Sequence, residues 1–214
     1  LCKRAALILQ ELHQMGDAPD RLDSVCVFCG SSDAADPALL ASAAELGRGL
    51  AAAELTMIYG GGGVGLMGAC AIAAHEAGGK VLGVIPAFLK ERERRLDVVE
   101  TVTVESMHER KMMMFERSDG FVVLPGGIGT LEEVVELLSW RRLDLHGKPV
   151  VFYNPGGFWE PLFHLFQHTV DQHLTPPSFM TSWVAVDAID EIIPALRLGV
   201  PTGPDAAPDV AQLT

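Results

Sequence analysis

The sequence predicts a single α/β domain: a doubly wound, Rossmann-like fold with a mostly parallel sheet of about seven strands. Three observations support this prediction. Short apolar runs alternate with segments of helical periodicity along most of the chain, a pattern typical of buried parallel strands and their crossover helices. Glycine-rich turns follow two of these runs. Finally, 214 residues with 49% hydrophobic side chains suffice for one large core, and no internal repeat marks a second domain.

Composition restricts the partners and the compartment. A formal net charge of −12 and a pI near 4.9 disfavour nucleic acid and anionic membrane surfaces, which would repel the chain. The apolar run at residues 5–9 is shorter than the core of a secretion signal, and no stretch is long enough to cross a bilayer. We therefore expect a cytoplasmic protein that binds neither nucleic acid nor membrane.

The cysteines and histidines predict no metal site. Cys26 and Cys29 have the C-x-x-C spacing, but no second pair completes a zinc site. Positions three apart on a strand also face opposite sides, so we expect reduced, packed cysteines. His164 and His168 lie one helical turn apart, yet the glutamate of an HExxH motif is missing.

The first elements in chain order are a helical appendage, a strand and a helix. Residues 1–23 contain an amphipathic helix that we expect to pack outside the core. The strand Ser24 to Cys29 ends in Gly30-Ser31-Ser32-Asp33, and Asp36-Pro37 then begins a helix. Small polar residues at the end of a buried strand suit either ligand contact or turn formation, and both roles remain open for Ser31.

A first glycine-rich loop, Gly60 to Gly68, joins the second strand, Leu55 to Tyr59, to a helix. Its last glycines have the G-x-G-x-x-G spacing of dinucleotide-binding turns. The acidic residue that would hold a ribose hydroxyl at the end of the next strand, Lys80 to Ile85, is missing, which disfavours NAD. We retain Gly62 and Gly63 as candidate contacts to a phosphate, ribose or base.

The charged segment at residues 87–96 comes next, and its composition suits either solvated surface or a cover for a site. Val98 to Val104 is the fourth strand, and its partial alternation places it near an edge of the sheet. The residues that follow begin another helix.

Two cations lie in the first turn of that helix. Ser106 is its predicted N-cap, and Glu109 completes a capping box. Arg110 and Lys111 follow directly. Such a pair usually lies on a solvated face, but two neighbouring glycine-rich loops in an acidic protein favour a role in anion binding.

The second glycine-rich loop, Pro125-Gly126-Gly127-Ile128-Gly129-Thr130, follows the apolar strand Phe121 to Leu124 and begins a helix. Its glycines allow a close backbone approach, and the free N–H groups and positive dipole end of the helix favour a phosphate. Glu132 and Glu133 come next. They are either ordinary helix-dipole partners or carboxylates that act on the molecule carrying the phosphate.

The remaining chain completes the sheet. Val150 to Asn154 is the sixth strand, and Pro155-Gly156-Gly157 is predicted to begin an aromatic-rich helix. Trp183 to Val186 is the last strand, followed by a helix that Asp187 caps. Residues 199–214 are predicted to be a disordered tail, so the nucleotide-binding domain spans residues 24–198. Its loops gather at the carboxyl ends of the strands, where such sheets bind ligands.

Three motifs together resemble those of the Lonely Guy phosphoribohydrolases, over about Val25 to Leu198. They are Gly61-Gly62-Gly63-Val64-Gly65-Leu66-Met67-Gly68, Met107-His108-Glu109-Arg110-Lys111 and Pro125-Gly126-Gly127-Ile128-Gly129-Thr130-Leu131-Glu132-Glu133. The resemblance implies hydrolysis of the N-glycosidic bond of cytokinin riboside 5′-monophosphates, AMP or both, which releases the free base and ribose 5-phosphate. The family often carries the label "lysine decarboxylase", but no residue set for a pyridoxal cofactor can be assembled here.

The resemblance also implies the site residues. The family's catalytic arginine falls on Arg110, and its catalytic glutamate, the last residue of the glycine motif, on Glu133. No metal or cofactor is expected, and the partners are the nucleoside 5′-monophosphate and further copies of the chain in a homodimer or larger homo-oligomer. A non-catalytic nucleotide or molybdenum-cofactor carrier of the same fold is the alternative. The candidate substrate contacts are Ser31, Gly62, Gly63, Met107, Lys111, Gly126, Gly127, Ile128, Gly129 and Thr130.

Overall fold

The computed structural model describes residues 21–90 and 94–199. Most of the predicted appendage at residues 1–23 and all but the first residue of the predicted tail at 199–214 therefore lie outside the described residues, as does the centre of the charged segment. The described chain contains one seven-stranded sheet in which every neighbouring pair is parallel. Its strands are β1 (Ser24–Phe28), β2 (Thr56–Tyr59), β3 (Val81–Pro86), β4 (Glu100–Val104), β5 (Gly120–Val123), β6 (Val150–Tyr153) and β7 (Val184–Val186).

The strand order is β4-β3-β2-β1-β5-β6-β7. This order confirms the predicted doubly wound fold and the edge position of β4. β1 pairs with β2 on one side and with β5 on the other. The direction of winding reverses between β1 and β5, so the loops that follow these two strands leave a crevice at their carboxyl ends.

Six α-helices lie within the described residues: α1 (Pro37–Ala52), α2 (Gly65–Glu76), α3 (Met107–Glu116), α4 (Ile128–Arg142), α5 (Glu160–Asp171) and α6 (Ile192–Leu198). Asp36 begins α1 as predicted, because its Oδ1 accepts the Ala38 N–H at 2.8 Å. Ser106 caps α3 by accepting the Glu109 N–H at 3.1 Å. The Glu109 carboxylate accepts the N–H of Glu105 at 2.8 Å rather than that of Ser106, so the predicted capping box closes one residue earlier.

Two predicted helix starts near the C-terminus are wrong. α5 begins only after a 3₁₀ turn at Pro155–Gly157, in which Gly156 has a left-handed φ of 58° that interrupts any helical path. Asp187 does not cap α6. The 3₁₀ turn Ile189–Glu191, with Ala188 as its N-cap residue, lies between Asp187 and the helix. Both differences are in local backbone geometry and leave the sheet order unchanged.

Hydrophobic layers cover both faces of the sheet. α1, α2 and α6 form one layer, around residues such as Leu46, and α3, α4 and α5 form the other, around residues such as Phe115. Cys26 in β1 and Cys29 just after it belong to opposite layers, which confirms the prediction that they face opposite sides of the sheet. Burial raises the pKa of the Cys26 thiol well above its ordinary value. Among the described residues, no helix combines the length and the apolar character needed to cross a membrane.

Candidate active site

A cavity of about 510 Å³ lies at the carboxyl ends of β1 and β5, where the sheet winding reverses. Loops after both strands form its walls, and their backbones are joined by a hydrogen bond from the Gly30 N–H to the Pro125 carbonyl oxygen at 3.1 Å. α2, α3 and α4 begin at its edges. The lining residues are Cys29, Gly30, Ser31, Ser32, Ala35, Leu39, Leu66, Met67, Met107, Arg110, Pro125, Gly126, Gly127, Ile128, Gly129, Thr130, Glu132, Glu133 and Phe158.

The N-terminus of α4 opens into this cavity. Gly127 is its N-cap residue, so no side chain caps the helix, and the first helical bond runs from the Leu131 N–H to the Gly127 carbonyl oxygen at 3.0 Å. N–H groups in a first helical turn have no acceptor within their own helix. A Cβ on Gly127 or Gly129 would meet none of the described residues within 4 Å, which leaves both backbones accessible to a ligand. The helix start is therefore suited to an anion.

Arg110 and Glu133 form a buried ion pair on one side of the cavity. Their closest atoms, Arg110 Nη1 and Glu133 Oε1, are 3.4 Å apart, and the two side chains are only 8% and 10% exposed. The guanidinium is held from behind by two backbone carbonyls: Nε donates to Val84 at 3.3 Å and Nη2 donates to Gly60 at 3.4 Å. β2, β3 and α3 thus fix the arginine, which in turn stabilises the negative charge of the carboxylate at the cavity wall.

Gly60 makes this arrangement possible. A Cβ at this position would overlap the Arg110 guanidinium, so only glycine lets the arginine reach the end of β2. Gly60 of the first loop therefore leaves room for the Arg110 side chain rather than for a ligand.

The start of α2 differs from the start of α4, because its N–H groups already have acceptors within the protein. Leu66 and Met67 donate to the Gly30 carbonyl oxygen at 3.0 and 3.3 Å, and Gly65 donates to Asp33 Oδ1 at 3.1 Å. The Gly65 hydrogen bond, together with an ion pair to Arg94, lowers the pKa of the Asp33 carboxyl. An internal carboxylate thus occupies the place where a dinucleotide-binding turn would hold a phosphate.

Two predicted substrate contacts in the first glycine-rich loop do not line the cavity. Gly62 and Gly63 are absent from its lining among the described residues. A Cβ on Gly63 would overlap the Arg94 carbonyl oxygen and crowd the side chain of Leu96, so the end of the charged segment packs directly on this loop. The physical reason for the glycine is close packing of two stretches of backbone.

Lys111 also lies outside the cavity lining. Its Nζ is 2.5 Å from Glu132 Oε1 and 2.7 Å from Glu136 Oε2, and its side chain is 14% exposed. Burial alone would lower the pKa of Lys111, but the hydrogen bonds to Glu132 and Glu136 outweigh it and raise the pKa above its ordinary value. The ammonium is therefore charged and engaged with two carboxylates of α4.

The other predicted contacts do meet in the cavity, together with residues that the sequence analysis missed. Ser31, Met107 and the loop from Gly126 to Thr130 all line it. The missed residues are mainly apolar. They include Leu39 on α1, Leu66 and Met67 on α2, and Phe158 after β6. Leu39 has the helical spacing typical of core residues, so no signal in the sequence distinguishes it as a ligand contact. Leu66 and Met67 belong to the first glycine motif, which was the available signal for them.

The chain is similar to known proteins over most of its length. The family model described as "Possible lysine decarboxylase" matches residues 67–196. The chain is 43% identical over 182 residues to the probable cytokinin riboside 5′-monophosphate phosphoribohydrolase LOGL9 of Oryza sativa subsp. japonica, covering 85% of this chain and 80% of that protein. It is 40% identical over 178 residues to the cytokinin riboside 5′-monophosphate phosphoribohydrolase LOG5 of Arabidopsis thaliana, covering 83% and 78% respectively.

Solved structures show the same fold at lower identity. The molybdenum cofactor carrier protein of Chlamydomonas reinhardtii superposes with a TM-score of 0.61 and 22% identity, covering 83% of this chain and 98% of that one. The molybdenum cofactor binding protein of Rippkaea orientalis gives a TM-score of 0.59 at 23% identity, covering 84% and 98%. These two similarities establish the fold only. On the sequence similarity to the plant enzymes and the matching family model, the chain belongs to the Lonely Guy family of phosphoribohydrolases.

Proposed function

We propose that this protein hydrolyses the N-glycosidic bond of nucleoside 5′-monophosphates, either cytokinin riboside 5′-monophosphates or AMP or both, and releases the free base and ribose 5-phosphate. One observation carries the proposal: the buried Arg110–Glu133 pair lies in the same cavity as the uncapped start of α4. The start of α4 provides a binding site for the 5′-phosphate, and the oriented carboxylate of Glu133 lies beside it for the anomeric carbon of the same sugar.

The 5′-phosphate binds at the start of α4 in this proposal. The backbone from Gly126 to Ile128, with Gly129 and Thr130, supplies N–H donors at the positive end of the helix dipole. Ser31 and Met107 lie on other walls of the same cavity and contact the remainder of the nucleotide. The phosphate thereby positions the ribose against the carboxylate.

Glu133 acts at the anomeric carbon. Cleavage of an N-glycosidic bond passes through a sugar with cationic character, which a carboxylate stabilises while it orients the attacking water. The water oxygen bonds to the anomeric carbon, the C–N bond breaks with its electron pair on the base nitrogen, and one proton of the water ends on the base. Water is the only co-reactant, so the chemistry requires no metal or cofactor.

Arg110 acts through Glu133 rather than as the main phosphate ligand. Its Nε, Nη1 and Nη2 atoms each face an acceptor of the protein: Val84, Glu133 and Gly60 in turn. Fixed in this way, the guanidinium holds the carboxylate in one orientation and preserves its charge next to the sugar.

A homodimer or larger homo-oligomer completes the proposal. The aromatic-rich region around α5 leaves apolar surface uncovered: Phe158 is 43% exposed and Leu165 is 56% exposed, although Phe166 is buried in the core. Phe158 also lines the cavity, so a subunit contact there would lie beside the site. Light scattering at micromolar protein concentration tests this assembly, and a monomer would contradict it.

Incubation with AMP and with isopentenyladenosine 5′-monophosphate, followed by chromatography for the free base, tests the proposed reaction. We expect release of adenine, isopentenyladenine or both, together with ribose 5-phosphate. A protein that binds either nucleotide but releases no base would instead be a carrier of the same fold.

A further inference from the structure

We propose that Lys111 is a specificity-determining residue that acts as the counter-ion of Glu132 and Glu136, so that the start of α4 attracts the 5′-phosphate instead of repelling it. This inference rests on the proposed function, because it takes the start of α4 as the phosphate seat. It replaces the simpler expectation that the ammonium of Lys111 contacts the phosphate itself.

The first turns of α4 carry three carboxylates. Glu132, Glu133 and Glu136 all lie within the first three turns of this helix, whose start is the only anion seat that we assign in the described part of the cavity. Arg110 pairs with the second of these carboxylates. Lys111, the next residue on α3, pairs with the other two. Two adjacent cations on one helix thus pair with three carboxylates on its neighbour and offset two of their three negative charges.

Glu132 is the carboxylate most exposed to an incoming phosphate. It lines the cavity, its side chain is 52% exposed, and it lies two residues after Thr130 in the phosphate-binding loop. Without a counter-ion, a full negative charge would face an incoming phosphate at the mouth of the site. Such a repulsion acts over several ångströms and weakens at high ionic strength.

The position of Lys111 fits a counter-ion and not a direct ligand. It is absent from the cavity lining among the described residues, and its Nζ lies within 2.7 Å of a carboxylate oxygen on each of its partners. The two glutamates are four residues apart and therefore lie on one face of α4, where a single ammonium bridges them. To reach the phosphate, Lys111 would have to abandon both partners.

Binding measurements without turnover test the inference. We expect Lys111→Met to weaken AMP and ribose 5-phosphate binding, measured by calorimetry, on the order of tenfold at low ionic strength and much less at high salt. Lys80→Met is the matched control, because it removes the same charge just before β3. The amino ends of the parallel strands lie at the end of the sheet opposite the cavity. Its affinity for both ligands should change less than about twofold.

The decisive comparison uses a background that lacks both carboxylates. Adding Glu132→Gln and Glu136→Gln to Lys111→Met should restore AMP affinity to no more than about twofold below that of the wild type, because the carboxylates whose repulsion the ammonium offsets are then also gone. A loss near tenfold that persists in this triple variant would identify Lys111 as a direct phosphate ligand and overturn the inference. This comparison holds even if the single Lys111→Met variant folds poorly, and melting curves on each protein monitor folding.

The inference and the proposed function fail in different ways. If the wild type binds AMP but releases no base, and Lys111→Met weakens this binding in a salt-dependent way, the role of Lys111 stands and the proposed hydrolase activity is wrong. A protein that releases base normally but shows no effect of Lys111→Met refutes the counter-ion role alone. Absence of AMP and ribose 5-phosphate binding to the wild-type protein would overturn both.

Discussion

The two glycine-rich loops, Gly60–Gly68 and Pro125–Thr130, follow buried parallel strands and each leads into a helix, yet they differ in what faces their free N–H groups. At the start of α2 the donors are satisfied by the Gly30 carbonyl and by Asp33. At the start of α4 the N-cap is a glycine and the cavity lies in front of it. A glycine pattern thus predicts close approach to the backbone, but it does not reveal what approaches.

The space around the glycines differs in the same way. In the first loop, an added Cβ would overlap Arg110 at Gly60 and the backbone of Gly63 at Gly68. In the second loop, an added Cβ at Gly127 or Gly129 would meet no described residue within 4 Å. The first loop is filled by the protein itself. The second is open at Gly127 and Gly129, although a Cβ on Gly126 would overlap the side chain of Thr130.

The largest effect is expected where the open loop meets the chemistry. Glu133→Gln keeps the size of the side chain but removes its charge, so kcat for base release should fall by about 10²- to 10⁴-fold. Nucleotide affinity should change little, but the melting temperature should fall, because the substitution leaves the buried Arg110 guanidinium without its charged partner. Steady-state kinetics and thermal denaturation measure the two effects.

Glu132→Gln is the matched variant, one residue earlier on the same helix. A step of one residue rotates a side chain by about 100°, so the two carboxylates cannot act on the same atom. We expect a loss of less than about tenfold in kcat for this variant. The reverse pattern would move the catalytic assignment to Glu132. If neither substitution lowered base release, neither carboxylate would be catalytic, and a carrier would be indicated only if the wild type itself released no base.

The second effect concerns the ligand that the open loop receives. Adenosine and isopentenyladenosine lack the 5′-phosphate and leave the N–H donors of α4 unpaired in the complex, so kcat/KM should fall on the order of 10²-fold relative to the monophosphates. Parallel assays of each nucleoside and its nucleotide measure this ratio. Equal turnover of the two would show that the start of α4 is not the phosphate seat.

The third prediction compares one glycine from each loop. Gly68→Ala should lower stability by about 1–3 kcal/mol, because its Cβ overlaps backbone that cannot rotate away. Gly129→Ala should leave the melting temperature unchanged or slightly raised, because alanine favours a helix, but its methyl group enters the ligand space and should weaken AMP binding on the order of tenfold. Melting curves and calorimetry on both variants measure stability and AMP binding. A large loss of stability in Gly129→Ala, with weakened AMP binding only in Gly68→Ala, would contradict the comparison.

The smallest effect is expected at Asp33, because its carboxylate is exposed and screened. Its folded-state pKa is lowered by the Gly65 N–H and by Arg94, so the carboxylate stabilises the fold above its unfolded pKa of about 3.9. That contribution is lost as the pH falls through the lower folded pKa. Asp33→Asn should therefore melt slightly below the wild type at pH 7, and the difference should narrow in acid. A constant difference across this range would exclude the ionised carboxylate as the cause.

Local patterns predicted most of the fold correctly. The apolar runs identified all seven strands, and the edge position of β4 followed from the alternation in Val98 to Val104. Errors arose at helix starts, where Gly156 and Ala188 depend on a few backbone angles that composition does not determine. Periodicity is a property of many residues at once, whereas a helix start depends on one or two.

The site was predicted less completely, because its decisive contacts connect distant parts of the chain. Asp33 reaches Gly65 across 32 positions, and Lys111 reaches Glu132 across 21. The sequence alone determined the fold class, the family and the two glycine-rich turns, since these depend on periodicity and on short motifs. Only the tertiary structure decided which turn is open, which cations already have carboxylate partners and which apolar side chains form the cavity, because each of those outcomes depends on distances between elements that no local pattern contains.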